Sequence, residues 1–254
     1  MLTIQSFLTN GYIRLKFKNS KLIDKFKRKI KLKINTRLKK AKKKIVKLEN
    51  FHKLNLNQSE KEFVFNSHYR SIKLDKSDIK QVLNNKYFQA IFEHYYGNKK
   101  PFVLYPSNKK YKKNLSGFRI VSPSDKSVTG IHSESSCGIH CMTVWIPLTG
   151  LTSKSTLKIF PKSHTYRLED KDIIDHDNKL SKAKIIKKNF LKKFKSSKSL
   201  NFKKGEYIIF HPDLLHGNTN NKDVITRTSM EFRIFSERKK KTIHENRSIN
   251  LNGY

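Results

Sequence analysis

Beyond Pro101 the chain falls into seven short runs rich in β-branched and aromatic residues. They are Phe102–Leu104, Gly117–Val121, Val128–Ile131, Met142–Ile146, Leu157–Phe160, Tyr207–Phe210 and Thr226–Phe235, and turn residues separate them. Many short strands at such spacing are what a β-sandwich or barrel requires. A chain of 254 residues can form that as one unit with helical additions. We therefore expect a mainly β fold with some α. Residues 101–238 form its core, with a basic insert at about 165–204 read as a helix or lid over Asp175–Ser199. Residues 1–100 are a strand and helical region of the same unit, and 239–254 are a loosely ordered tail.

The N-terminal part reads differently. Gly11–Phe17 alternates apolar and polar residues, as a half-buried strand does. Apolar residues then recur at Leu22, Phe26, Ile30, Ile34, Leu38, Ala41, Ile45 and Leu48, one face of a long helix that Ser20 could cap. The opposite face is almost entirely lysine and arginine. It reads as the solvated side of a scaffold helix, or alternatively as a surface for a membrane or a polyanion. Residues 51–62 read as a polar linker. A second helix is expected from Ser77 to Tyr96, stopped by Gly97-Asn98.

The formal charge of +36 invites a nucleic-acid partner, but only ten of the 56 basic residues are arginine. Readers of bases and phosphates favour arginine for its bidentate fork. Aromatic residues are also not interleaved with the basic ones as a stacking platform would need. The Lys, Asn and Ile excess is what an AT-rich genome writes regardless of function. A nucleic-acid partner is thus disfavoured, and an anionic small molecule remains open. No apolar run reaches the length of a membrane span, and the start lacks a signal-peptide pattern. Cys137 and Cys141 fit reduced thiols in a cytoplasmic protein rather than a disulfide or a structural zinc site.

The chemistry centres on His132-Ser133-Glu134, with His216 82 positions beyond Glu134 and Arg227 11 positions after that. Two histidines and a carboxylate can hold Fe(II) on one side and leave positions open. On a strand, His132 and Glu134 would point to the same face. His216 follows the strand-like Gly205–Phe210. The second H-x-D pair, His211 and Asp213, has only His244 in the polar tail downstream and is rejected. In the run Arg227–Arg233, the residues Arg227, Ser229, Glu231 and Arg233 share one strand face, which suggests a wet interior. An arginine there can grip a carboxylate bidentately, and a serine two positions on can add a hydrogen bond. Arg233 could instead pair with Glu231 or another acid.

An H-x-E pair is common in unrelated chains, so the order of the surrounding motifs carries the argument further. Phe118–Pro123, Gly130–Glu134, Val144–Leu148, Phe160–His164, Gly205–Phe210, His216–Asn218 and Thr226–Ser229 follow one another. That series resembles the 2-oxoglutarate- and Fe(II)-dependent oxygenases of the phytanoyl-CoA hydroxylase type. The W-x-P-L and T-R-x-S elements look most like the branch found among bacterial carbohydrate-biosynthesis genes. The resemblance covers about 102–236 and extends weakly to Phe7–Tyr12, which looks like an opening strand.

This resemblance implies a double-stranded β-helix, a cupin-like jelly roll with the N-terminal helices packed on it. It implies His132, Glu134 and His216 on iron, Arg227 on 2-oxoglutarate, and Trp145 with Thr143 and Ser229 lining the cosubstrate site. Arg119, Asn218 and Arg233 are candidate substrate contacts. O2 is the second co-substrate, and hydroxylation of a sugar, a nucleotide-linked sugar or another small metabolite is the expected outcome. Desaturation or epimerisation would use the same site; halogenation would not, because a carboxylate is retained. A cupin-like protein that binds metal without turnover and a nucleic-acid oxygenase are the alternatives. Glu134 stands where the family usually has aspartate, and Lys162 where the P-x-S-H turn usually has glycine.

Overall fold

The computed structural model describes residues 2–65, 71–105, 112–113, 115–123, 130–178, 181–194 and 197–236. The expected strand at Val128–Ile131 lies partly, and the tail from Lys239 wholly, outside the described residues.

The chain opens with helix α1 (Leu2–Asn10), strand β1 (Tyr12–Lys16) and helix α2 (Lys21–Lys40). Phe7–Asn10 is therefore helical, not an opening strand. Gly11, at φ +78°, makes the turn, and a β-carbon there would lie 2.6 Å from the His164 ring. Helices α3 (Gln58–Phe65), α4 (Lys76–Leu83) and α5 (Lys86–Tyr96) follow, with β2 (Ser71–Lys73) between the first two. Strands β3 (Pro101–Tyr105), β4 (Lys112–Lys113), β5 (Leu115–Val121), β6 (Met142–Thr149) and β7 (Leu157–Ile159) begin the β region. Then come β8 (Ile173–Asn178), β9 (Ser181–Ile186), α6 (Lys188–Leu191) and β10 (Lys198–Ser199). The chain closes with β11 (Glu206–Phe210), β12 (His216–Asn218) and β13 (Arg227–Ser236).

Several boundaries differ from the sequence reading. The long helix ends at Lys40, and a 3₁₀ turn carries Leu48–Lys53. Ser20 makes no side-chain cap; the Asn19 carboxamide oxygen accepts from Lys21 N instead. The supposed linker 51–62 carries the start of α3. The helix expected over 77–96 breaks at Asn84-Asn85, because the Asn85 carboxamide accepts from Tyr87 N and Phe88 N and starts a new helix. The basic stretch Asp175–Ser199 is mostly a hairpin of β8 and β9, with α6 as a single turn. Lys162 takes the left-handed conformation, φ +69°, that a glycine would adopt without strain.

Among the described residues all strand pairs are antiparallel. The larger sheet runs β1-β11-β6-β13-β3-β4, and β5 joins β13 and carries β2 on its other side. One edge of β13 is shared: Arg227–Glu231 pair with β5, and Arg233–Ser236 pair with β3. The smaller sheet runs β10-β7-β12.

Strand alternation sorts the core into layers. Val144, Ile146, Tyr207, Ile209, Met230, Phe232 and Ile234 face outward into one cluster with Phe26, Ile30, Ile34 and Leu38 of α2. Trp145, Ile208 and Phe210 face inward and pack on Leu157 and Ile159 of the smaller sheet and on Leu214 in the loop before β12. Each such buried side chain contributes roughly 1.5–3 kcal/mol.

Five of the ten basic residues of α2 bind partners within the molecule, and Lys21, Arg28, Lys31, Lys39 and Lys40 are exposed. Lys25 and Lys29 bind Asp78 at 2.6 and 3.4 Å, and Lys27 binds Glu49 at 3.2 Å. Arg37 donates to the Phe63 carbonyl, and Lys33 to that of Ser71. Among the described residues, no helix is long and apolar enough to cross a membrane. Asp78 is buried and also accepts from Asp75 N. Asp78→Ala should cost about 1–3 kcal/mol, because it removes the acceptor of the Asp75 N–H helix cap and one of the two carboxylates that hold Lys25 and Lys29, which keep Asp75. Urea unfolding checks this as a lower midpoint at unchanged slope.

Candidate active site

The inner faces of β6 and β13 are unlike the rest of the core. Thr143 and Trp145 on β6 stand opposite Arg233 and Glu231 on β13, and Ser229 stands between Pro147 of β6 and Arg119 of β5. The four polar residues expected to share a strand face do so.

His132 and Glu134, from the loop before β6, come together with His216, the first residue of β12. A two-way bridge joins His132 and His216, each backbone N–H donating to the other's carbonyl at 2.9 Å. Glu134 is not on a strand: its backbone is helical, and it begins a 3₁₀ turn over Ser135–Cys137. It reaches the histidines by that turn and not by strand alternation. Serines hold the turn. Ser136 N–H donates to the Ser133 hydroxyl, and Ser133 N–H to the Ser136 hydroxyl. Ser135 N–H donates to the Pro212 carbonyl, and its hydroxyl donates to the Asp213 carboxylate. The rejected H-x-D pair thus supplies a carboxylate that supports the Glu134 turn. Sequence reasoning missed these supports, although a serine pair spaced i, i+3 is a recognisable turn signal.

One donor atom from each of the three residues lies within 4.8 Å of the others. His216 Nε2 is 3.9 Å from Glu134 Oε1. Two neighbouring donors held about 2.1 Å from one ion are about 3 Å apart, so the triangle must close by about 1–2 Å to hold one. Both rings are already oriented. His132 Nδ1 lies 2.9 Å from the Gly130 carbonyl, and His216 Nδ1 2.9 Å from that of Leu214. A carbonyl only accepts, so each Nδ1 carries the hydrogen and each Nε2 keeps a lone pair for a metal. Burial, reinforced by His132 alongside, pushes the His216 imidazole down to about 3, which keeps that lone pair available.

Glu134 is 2 % exposed and has other partners. Arg233 Nε donates to Oε2 at 2.9 Å and Nη2 to Oε1 at 3.0 Å, while the Thr143 hydroxyl donates to Oε1 at 3.3 Å. Arg233, a candidate substrate contact from sequence, therefore binds the carboxylate of the triangle, with Glu231 3.4 Å away. Thr143, a candidate for the cosubstrate, touches the same carboxylate.

Arg227 is fully buried. Its Nη1 donates to the Ser155 and Thr156 carbonyls at 3.2 Å, and its Nη2 to Asn218 Oδ1 at 2.9 Å. Asn218 thus positions Arg227. Gly150 admits this packing: at φ +62°, a β-carbon there would lie 3.1 Å from Arg227 Cα. The buried Thr156 hydroxyl makes no hydrogen bond. Trp145 packs against Phe202 at 5.4 Å. A groove of about 460 Å³ lies to the side, lined by Gly130, Ile131, Lys154, Lys158, Asn218 and Lys222 among others. Cys137 and Cys141 are free thiols, raised by burial, and among the described residues the His132–Glu134–His216 set is the one metal-compatible cluster.

Comparison with known proteins adds three findings. The profile of the family described as "Phytanoyl-CoA dioxygenase (PhyH)" matches residues 7–229. No curated protein sequence matches the chain. Solved structures share the fold at low identity. The non-heme alpha-ketoglutarate-dependent carbocyclase SnoK from nogalamycin biosynthesis is 12 % identical, with a TM-score of 0.55 over 100 % of this chain and 93 % of its own. EctD from S. alaskensis, solved with 2-oxoglutarate and 5-hydroxyectoine, is 12 % identical, with a TM-score of 0.56 over 92 % and 74 %. The epimerase SnoN, in complex with Fe3+, alpha ketoglutarate and nogalamycin RO, is 12 % identical, with a TM-score of 0.54 over 92 % and 82 %.

Proposed function

The chain belongs to the phytanoyl-CoA dioxygenase family, and from that premise we propose that His132, Glu134 and His216 hold its iron and that Arg227 receives its 2-oxoglutarate. It is an enzyme of the non-heme dioxygenase class, with Fe(II), 2-oxoglutarate and O2 as cofactor and co-substrates. The one observation that carries the residue assignment is the triangle itself, with both histidines pinned at Nδ1 by backbone carbonyls. The two antiparallel sheets around it are read as the faces of a double-stranded β-helix, and the helices of residues 1–100 as part of the same unit.

Iron bound there supplies oxygen activation, coupling decarboxylation of 2-oxoglutarate to oxidation of a substrate C–H bond. This chain's residues do the rest. The two Nε2 lone pairs and the Glu134 carboxylate would hold the iron, a donor set of the kind that suits Fe(II). Arg227, immobilised by three acceptors, presents a guanidinium suited to a distal carboxylate. The unpartnered Thr156 hydroxyl gives the same ligand a second contact. Ser229 lines that wall. Trp145, Phe202, Phe210 and Leu214 keep water from the space between the sheets.

The substrate is read as a small metabolite oxidised at one C–H bond, hydroxylation being the default. The W-x-P-L and T-R-x-S elements point toward a sugar or a nucleotide-linked sugar. Lys154, Lys158 and Lys222 around the groove favour an anionic one.

The test is anaerobic addition of Fe(II) and 2-oxoglutarate to the purified wild-type protein. The expected result is a visible metal-to-ligand charge-transfer band, followed on admission of air by succinate. Absence of the band in folded, iron-loaded protein overturns the proposal and leaves a metal-binding protein without turnover.

A further inference from the structure

Glu134 Oε1 is the carboxylate oxygen that faces His216, and it is already taken twice, by Arg233 Nη2 at 3.0 Å and by the Thr143 hydroxyl at 3.3 Å. A carboxylate oxygen offers two lone-pair sites. An ion that coordinates Oε1 must therefore displace one of these donors. Arg233 is the one to leave. It is a cation beside an arriving cation, and it has a second carboxylate at hand. Glu231, two residues along the same strand face, has Oε1 3.4 Å from Arg233 Nη2. The neutral Thr143 hydroxyl meets no such repulsion and can stay.

Resting on the metal-site reading above, we propose that Arg233 is a positioning residue that serves as Glu134's countercharge in the metal-free protein and is handed over to Glu231 when a divalent ion binds. A buried carboxylate without a counterion is costly. The fork keeps the turn of Glu134 in place until the ion takes over that role. The exchange sets metal affinity by competition, so removing Arg233 weakens the metal-free fold and tightens metal binding. A purely structural arginine would give the first effect without the second.

The experiment is a Co(II) titration of the full chain, read by cobalt absorption and by the melting temperature with and without Co(II). Arg233→Met is expected to lower the metal-free melting temperature and to bind Co(II) at least about tenfold more tightly, a difference of about 1.4 kcal/mol. Arg233→Lys, which keeps a charge and loses the fork, is expected to fold and to bind more tightly by a smaller factor. Glu231→Gln is expected to weaken Co(II) binding, and to lose that effect in the Arg233→Met background, or in the Arg233→Lys background if the methionine variant does not fold. Equal or weaker binding by the folded Arg233 variants overturns the competition. An undiminished Glu231→Gln effect without Arg233 overturns the hand-over. If wild type takes up no Co(II) beyond what His216→Ala takes up, the metal-site reading itself fails, and this proposal fails with it.

Discussion

His216→Ala is expected to abolish the charge-transfer band and to lower succinate formation by at least about a thousandfold, roughly 4 kcal/mol of barrier. His216 sits at the join of the two sheets: its backbone bridges His132, its Nδ1 is spent on the Leu214 carbonyl, and its Nε2 faces Glu134. Removing the ring therefore takes out one donor of three without touching the backbone bridge. The fold should survive, because an imidazole is a modest loss of volume beside Phe210 and His132. Anaerobic titration with Fe(II) and 2-oxoglutarate, together with circular dichroism, separates loss of the site from loss of the fold. A variant that keeps the band would show that the metal is held elsewhere.

Arg227→Ala should be costly in a different currency. The side chain is fully buried and donates to three acceptors, so its loss takes a donor from the Ser155 carbonyl and from Asn218, while the Thr156 carbonyl keeps the Thr219 hydroxyl, and it leaves a cavity. The expected destabilisation is about 3–5 kcal/mol. Arg227→Lys separates the roles. Lysine keeps the charge and loses the planar fork. We expect it to fold, to raise half-saturation by 2-oxoglutarate at least about tenfold, and to leave the rate at saturation within about threefold. Steady-state kinetics with varied 2-oxoglutarate provide the check. A fall in the saturated rate with unchanged half-saturation would remove Arg227 from cosubstrate binding.

The parts of this molecule legible in its sequence are those governed by local period. The buried stripe Phe26, Ile30, Ile34 and Leu38 of α2 follows helical spacing. The inward face Arg227, Ser229, Glu231 and Arg233 follows strand alternation, as does the division of β6 between helix layer and site. The three candidate ligands were found through the order of motifs, and the structure brings them within reach of one another. What sequence reading missed is set by contacts between distant residues or by short polar side chains. Asn85 caps a helix where an unbroken periodic stretch was read. The lysines of the basic insert masked Ile173, Ile174, Ile185 and Ile186, whose β-branched chains pair the hairpin. The i, i+2 spacing of His132 and Glu134 suggests a strand, yet a serine-held turn orients Glu134. Arg233 and Glu134 are 99 positions apart, and no local pattern announces that pair.

The pairing of β1 with β11 has a bearing on how the protein is made. Tyr12 lies opposite Phe210, about 200 residues later in the chain. At roughly 5–20 residues per second, a ribosome takes about 10–40 s to produce the partner of the first strand. Through that interval the apolar stripe of α2 has no completed sheet to rest on, because β13, which carries Met230, Phe232 and Ile234, is synthesised later still. The lysine-dense opposite face keeps such a segment in solution while it waits. A charge of +36 can thus act as a holding device for the nascent chain.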